Sequence, residues 1–471
     1  MRLKILYVCD IHSRYEELSK IATAIDDLKD NSTIILDAGD NADFARIETE
    51  GTNGKISSEI LNAIGFNARV FGNNEGFSGK INGRIISESS NFPSITCNMY
   101  NMAGKKLDYL KDSIILTIDK LKILVIGVTA PYNIFYNLSG INTKDPVTEI
   151  KRVLSGYNEI DYDLILLLSH LGLKEDKQIS LKIPEIDIII GGHSHIPLDK
   201  PIENNGVLIC QAGGYGEYLG VLEIKYDFEI RKISEYTGKL ISCNHFPPHP
   251  SISEILKKNS KKAIEMLSIP LYSIDISLSH SLTEENEIGN ILADGLKDFL
   301  GTEIGIINSG VLNKGIEKGN VSKLILHELC PSPLNPTWIE LQGKDLLVSL
   351  EKSLLCEYNL FDGRGPGFRG KWLGNLQVSN NVEVKFSSKK KALERLDSVK
   401  INNIDIDPEK WYKIATSDYL QRGTGYQEMN NCRNFEYKPE FLRDILEIYL
   451  KKKDFIENSF KKRFFNQNRF E

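Results

Sequence analysis

The 471-residue chain has no long apolar run, no clustered cysteines and no surplus of basic charge. A bilayer-spanning helix needs ~20 consecutive apolar residues, and no stretch approaches that. The N-terminal apolar stretch in MRLKILYVCDIHS is short and runs straight into polar residues, unlike a signal peptide. Seven cysteines, at 9, 97, 210, 243, 330, 356 and 432, include no C-x-x-C pair. Their odd number fits poorly with a disulfide framework, so a reducing, cytoplasmic location is expected. With 58 basic against 64 acidic residues the net charge is −6, which lacks the basic footprint of a dedicated nucleic-acid binder. Internal repeats and long low-complexity tracts are also missing. What remains is a globular composition, 41% hydrophobic and 26% charged, in a chain long enough for two or three domains.

The first part of the chain alternates short β-branched runs with polar or helical stretches. Leu3–Val8, Thr33–Leu36, Lys122–Val128, Leu164–Leu168, Ile186–Ile190, Val207–Cys210 and Gly220–Tyr226 read as strands buried on both faces. Leu18, Ile21, Ala22, Ile25 and Leu28 mark one face of a helix between the first two. This predicts a layered α/β domain over residues 1–240, with ligands at the strand ends. The segment ISCNHFPPHP at 241–250 reads as a break. Ser251 or Ser253 is a candidate cap for a linker helix to about Met266, completing a joining region over 241–269. A second, mixed α/β domain is expected over 270–450, opening with a helix marked by Ile288, Ile291, Leu292, Leu296 and Phe299. The tail at 451–471 carries seven basic and three acidic residues interleaved with Phe455, Phe460, Phe464, Phe465 and Phe470. It reads either as a terminal helix packing its rings on the domain or as a nucleic-acid or membrane contact.

Five short motifs follow candidate strands. They are Asp10-Ile11-His12, Gly39-Asp40-Asn41, Gly72-Asn73-Asn74-Glu75, Ser169-His170-Leu171-Gly172 and Gly191-Gly192-His193-Ser194-His195. Each alone is weak, since D-x-H is often a turn and GGHSH can be a glycine loop. Projected onto one rim of a sheet, they gather oxygen and nitrogen donors that could hold two metals. Two divalent cations ~3.5–4 Å apart can clamp the attacking and leaving oxygens of an in-line displacement. The lack of cysteine ligands leaves Zn, Mn, Fe, Co or Ni possible. Cys9 alternates away from this rim and reads as core.

In this order the motifs resemble the D-x-H, G-D, G-N-H-E, H and G-H-x-H blocks of the calcineurin-like metallophosphoesterases. The resemblance implies a four-layer α/β/β/α sandwich. It also implies that Asp10, His12 and His195 hold one metal and Asn73, His170 and His193 the other, with Asp40 bridging both. Blocks farther on resemble the nucleotide-binding C-terminal domain of the 5′-nucleotidase / UDP-sugar hydrolase family. They are Glu287–Asp294, Asn308-Ser309-Gly310, Leu341–Leu346 and Ser417–Tyr426. That family stacks a base between two rings, and Tyr426 matches one of them. Phe368 in Gly365–Gly370 is a candidate for the other, with loop packing as the alternative. Arg369 and Arg364 are candidate phosphate contacts, Arg364 equally a solvated side chain. Asn308 is a base or ribose contact or else a turn residue.

The chain departs from the pattern in reading GNNE instead of GNHE. Asn74 replaces a histidine that stabilises the transition state, Phe77 the aspartate that orients it, and Asn313 an arginine of the second domain. An amide can donate a hydrogen bond but cannot transfer a proton near neutral pH. The resemblance therefore implies a phosphoesterase in which a metal-activated water attacks nucleoside phosphates or nucleotide sugars, with Asp40 and Asn74 at the reacting centre. A phosphodiesterase acting on cyclic nucleotides or oligonucleotides and a nucleotide-binding sensor are the alternatives. A small-molecule nucleotide is the expected partner, and no obligate protein partner is evident.

Overall fold

The computed structural model describes residues 1–365 and 367–470, excluding the side chains of residues 469 and 470. The chain divides into two compact units, Met1–Ile264 and Glu265–Glu471. Among the described residues no helix is long and apolar enough to cross a membrane.

The first unit is built on two six-stranded sheets. In one, Arg2–Val8, Thr33–Asp37, Ala68–Val70 and Ser94–Ile95 run parallel, in that order. Tyr218–Asp227 and Lys232–Ser242 add an antiparallel edge. In the other, Val207–Gln211, Ile188–Gly191, Leu164–His170 and Leu121–Thr129 run parallel between antiparallel edge strands. Alternation along each strand explains the layers. Leu3, Ile5 and Tyr7 meet Ile123, Val125, Leu166 and Ile190 between the sheets. Leu6, Val8 and Ile35 face outward onto the Tyr15–Leu28 and Lys55–Ile64 helices. On the far side Leu124, Ile126, Leu167 and Ile189 meet Ile150, Val153 and Ile179 of the Pro146–Leu154 and Leu173–Lys182 helices. This is the expected α/β/β/α sandwich, in which buried parallel strands need both faces covered.

The joining region differs from the sequence reading. The helix runs Pro250–Leu267 and starts at Pro250, so neither Ser251 nor Ser253 caps it. Proline suits a first helical turn, where its missing N–H has no partner to lose. Cys243 and Ile252 are buried in the first unit's core, and Asn259 Nδ2 donates to Glu59 Oε2 at 2.9 Å. These contacts draw the 241–264 stretch into the first unit.

The second unit holds a five-stranded sheet, ordered Leu376–Val378, Ile304–Asn308, Trp411–Ser417, Pro336–Gln342 and Phe435–Tyr437. The Glu287–Leu300 helix packs on it through Ile288, Ile291, Leu292 and Leu296, while Phe299 is only half-buried. Asn286 caps this helix by accepting from Gly289 N–H. The tail is not a terminal helix alone. After the Lys453–Ser459 helix, Phe464–Asn466 adds a parallel strand to Val382–Phe386. Arg463 is buried against Asp294 at 2.6 Å. Phe455 and Phe464 pack on the core, whereas Phe460 and Phe465 stay exposed. The Phe470 side chain and Glu471 lie outside the described residues.

Candidate metal centre

The register of each sheet brings the motif loops together. Val8 pairs with Asp37 and Leu36 with Ala68, so Asp10, Asp40 and Asn73 leave the same edge of the first sheet. Thr129 pairs with His170 and Gly191 with Ser169, which places His170 and His193 at one edge of the second. The loops thus converge from two sheets, and the expected single rim is the end of the sandwich. Asp10, His12, Asp40, His193 and His195 all have positive φ, between +48° and +74°. Backbone strain of this kind persists where surrounding structure over-determines it, and it clusters at functional sites. Gly39, at φ +92°, lets two loops touch, since a Cβ there would lie 2.8 Å from both Gly72 N and His170 Nδ1. Glu75 ties the same loops by accepting from Asp40, Ala42 and Gly72 N–H groups at 3.1, 2.8 and 2.9 Å.

Two donor groups result, Asp10–His12–His195 and Asp10–Asp40–His170, each with ligand atoms within 4.8 Å of one another. His195 Nε2 lies 3.4 Å from Asp10 Oδ1, and His170 Nε2 lies 3.3 Å from Asp40 Oδ1. His12 Nε2 and His195 Nε2 face each other at 3.1 Å. The His193 ring stands 5.1 Å from that of His170. The decisive atoms lack hydrogen bonds: Asn73 Oδ1 is buried with none, and buried His170 Nε2 has only the Asp40 and Asp10 carboxylates near it, at 3.3 and 3.9 Å. His170 Nδ1 lies 2.7 Å from the Ala38 carbonyl, which fixes a proton there and turns Nε2 toward the carboxylates. A metal-ligating histidine is oriented in this way.

The charges agree. Burial alone would raise the Asp40 carboxyl, but His170, His12 and the Asn74 N–H hold it below the usual carboxylate range. Burial opposes charge on His170, yet Asp40 and Asp10 push its imidazole up to about 10. Such a field attracts cations. His193 goes the other way, down to about 4, through burial and then the neighbouring His170.

The family model described as calcineurin-like phosphoesterase matches residues 3–197, and the one described as 5′-nucleotidase, C-terminal domain, matches residues 264–431. Both domains of the 5′-nucleotidase-type metallophosphoesterases are present in this one chain, in that order. It is 29% identical over 455 residues to YunD, an uncharacterized metallophosphoesterase of Bacillus subtilis, covering 94% of this chain and 98% of the relative. It is 22% identical over 419 residues to the 5′-nucleotidase of Bos taurus, covering 75% of this chain and 72% of that protein. The solved NAD nucleotidase of Haemophilus influenzae shares the fold with a TM-score of 0.67 at 18% identity, covering 99% of this chain and 97% of that one. A metal-dependent phosphoric ester hydrolase is what this architecture carries.

The nucleotidase-type second unit departs from the site read in its sequence. Tyr426 is fully buried, and its hydroxyl donates to Gly374 O at 3.0 Å, so neither ring face is open to a base. Phe368 is also buried and stacks on Tyr419, with centroids 4.7 Å apart and planes at 21°. The loop-packing alternative is therefore the observed one. Asn308 is buried with Nδ2 donating to Leu373 O at 2.6 Å, while its Oδ1 has no partner. Arg369 is exposed, its backbone N–H donating to Ser332 Oγ at 2.9 Å, and Arg364 is paired with Asp362. Pro366 in this loop lies outside the described residues.

Several residues of this metallophosphoesterase centre escaped the sequence reading. Asp43 Oδ2 lies 3.5 Å from His12 Nδ1. The Tyr132 hydroxyl lies 2.7 Å from His193 Nε2, and the Tyr215 ring lies 5.0 Å from that of His195. Behind the GGHSH loop, Ser194 Oγ donates to Gln211 Oε1 at 2.6 Å, and Gln211 Nε2 donates to buried Asp176. Tyr132 and Tyr215 follow strands exactly as the metal motifs do, and the glycines flanking Tyr215 were a usable signal.

Proposed function

We propose that this chain hydrolyses nucleotides at a dinuclear metal centre and favours leaving groups that depart without protonation, such as nucleoside diphosphates and nucleotide sugars. The observation that carries the reading is His170 Nε2, buried without a hydrogen bond 3.3 and 3.9 Å from the paired carboxylates of Asp40 and Asp10, with Asn73 Oδ1 also buried and unpartnered. Asp10, His12 and His195 would hold one cation, Asn73, His170 and His193 the other, with Asp40 shared. Bound there, two divalent cations supply Lewis acidity and lower the pKa of water.

The chain's own residues limit what else can happen. Asn74 donates its backbone N–H to Asp40 at 2.8 Å, and its Nδ2 lies 2.9 Å from His12 Nδ1. That amide can steady a phosphoryl oxygen but cannot give a proton to an alkoxide. No carboxylate orients residue 74 from position 77, because the Phe77 ring packs on Phe135 and Tyr136 instead. General acid catalysis commonly contributes ~10²–10⁴-fold, so an alkoxide leaving group is penalised more than a phosphate. A nucleotide substrate is supported by relatives named as 5′-nucleotidases. A reducing, cytoplasmic setting belongs to the same proposal, on the cysteine spacing of the sequence alone.

A panel of AMP, ADP, UDP-glucose and cyclic nucleotides under Mn, Zn and Co tests this. Greater kcat/KM for ADP or UDP-glucose than for AMP is expected, and Asn74→His should raise turnover of AMP selectively. Equal kcat/KM for AMP and UDP-glucose under one metal would defeat the leaving-group reading.

A further inference from the structure

The rim of the metal centre carries two groups that the reading above leaves unused. Arg14 lies two residues past His12, immediately before the Tyr15–Leu28 helix, with its side chain exposed. Among the described residues its guanidinium makes no ion pair and no hydrogen bond. Its recorded contact is with the Tyr215 ring, 5.9 Å from the centroid. The neighbouring carboxylates are already engaged, Glu16 with Arg46 at 2.7 Å and Glu17 with Lys20 at 2.8 Å. A cation is thus left available beside two ligand imidazoles.

Tyr215 is held in place against its own preference. Its φ is +59°, a left-handed conformation that bulky residues avoid. Its backbone N–H donates to Asp10 O at 2.7 Å. The flanking glycines permit close contact. A Cβ at 214 would lie 3.1 Å from His195 Nδ1, and one at 216 would lie 2.7 Å from Glu17 Cβ. The ring lies 5.4 and 5.0 Å from the His12 and His195 rings and 5.9 Å from the Arg14 guanidinium. It remains 45% exposed, so one part of its surface is open to a ligand. Strain retained at an exposed aromatic beside a metal centre is a mark of function more than of packing.

We propose that Arg14, beside Tyr215, recognises a second phosphoryl group adjoining the one attacked, so that the substrate class is a diphosphate: nucleoside diphosphates or diphosphate-linked nucleotides. The assignment rests on the hydrolase reading above and gives its leaving-group preference a binding partner. With the reacting phosphoryl at the Asp10–His12–His195 group, the adjoining phosphate is one bridging oxygen away. An arginine fork suits its oxygens, and an aromatic ring within cation–π range helps orient that fork. In the reaction the water oxygen bonds to the attacked phosphorus and the bridging P–O bond breaks with its electron pair. One water proton passes to solvent, and Arg14 offsets the charge gained by the departing phosphate. A monophosphate ester has no second anion to meet Arg14.

The test compares kcat/KM for ADP with that for p-nitrophenyl phosphate in the Mn-loaded full chain. Taking the ratio within each protein cancels any loss of folded enzyme. Arg14→Ala should lower the ratio ~10- to 100-fold, the range of a charge-assisted hydrogen bond, with Arg14→Lys between it and the wild type. Tyr215→Ala should lower it further than Tyr215→Phe, which keeps the ring. A ratio within threefold of wild type in Arg14→Ala would overturn the proposal. Calorimetric binding of α,β-methylene ADP and of AMP reads the same contact without turnover, and Arg14→Ala should weaken the former at least tenfold more than the latter. Equal weakening of both overturns the assignment. If wild-type enzyme shows no leaving-group preference, the preference for diphosphates in turnover fails by itself, and the binding comparison still decides the role of Arg14.

Discussion

The strand-end rim of the first unit and the ring cluster of the second both bury side chains with functional credentials, but they do so with different outcomes. At the rim, His170 Nε2 and Asn73 Oδ1 are buried without partners, and five ligand-type residues sit at positive φ. In the second unit, Phe368 is already stacked on Tyr419, and the Tyr426 hydroxyl is already bonded. Buried polar atoms normally find partners, so ligand-type atoms buried without a hydrogen bond beside paired carboxylates are the imprint of a cation. A satisfied ring pair is what a core requires. Asn308 is the one member of the second set that shares the first set's mark, through its unpartnered Oδ1.

The largest effect that can break this contrast lies at the rim. Asp40→Asn should reduce Mn-dependent hydrolysis of p-nitrophenyl phosphate by on the order of 10³-fold or more, because it removes the carboxylate facing both donor groups. Retained turnover would end the assignment of Asp40. In the second unit, Tyr426→Ala should cost about 3–5 kcal/mol in denaturant unfolding, as a core truncation does. A stable variant with raised KM would instead make Tyr426 a substrate contact. Asp294→Ala leaves Arg463 buried without its counter-charge and should destabilise by about 3 kcal/mol, showing that the tail belongs to the fold. Mn at about 100 times its dissociation constant should stabilise the first unit by ~2.7 kcal/mol, seen as a shift in its thermal transition. A shift confined to the second unit's transition would contradict the rim assignment.

The smallest effect is a pH slope. Burial, against the pull of Arg422, pushes the Asp418 carboxyl up to about 6. An unfolded aspartate titrates near 3.9, so between roughly pH 4 and 6 the folded chain holds a proton that the unfolded chain has lost. Stability of the second unit should therefore fall as pH rises through that window and then level off, and Asp418→Asn should flatten the slope. A wild-type slope of opposite sign would show that Arg422 dominates burial.

Much of the first unit was legible in the chain. Its strands are continuous apolar runs because both faces are covered, and its donors follow those strands in order. Not legible was which of the two sheets each loop leaves, since parallel pairing joins residues far apart in sequence. Tyr132 was missed because a tyrosine in a loop has no chemical signature until its ring is seen against a histidine, and Tyr215 because its flanking glycines announce only a turn. The 241–264 segment looked like a linker because prolines announce breaks in regular structure, not whether the chain then packs.

Donor chemistry is written residue by residue, so Asp10, His12, Asp40, His170, His193 and His195 could be chosen from their types and their places after strands. Burial is collective. Whether Tyr426 shows its face to a ligand, whether Arg463 sits in water or inside, and whether Arg14 finds an aromatic neighbour depend on every surrounding side chain. Those questions were answered only when the chain had packed.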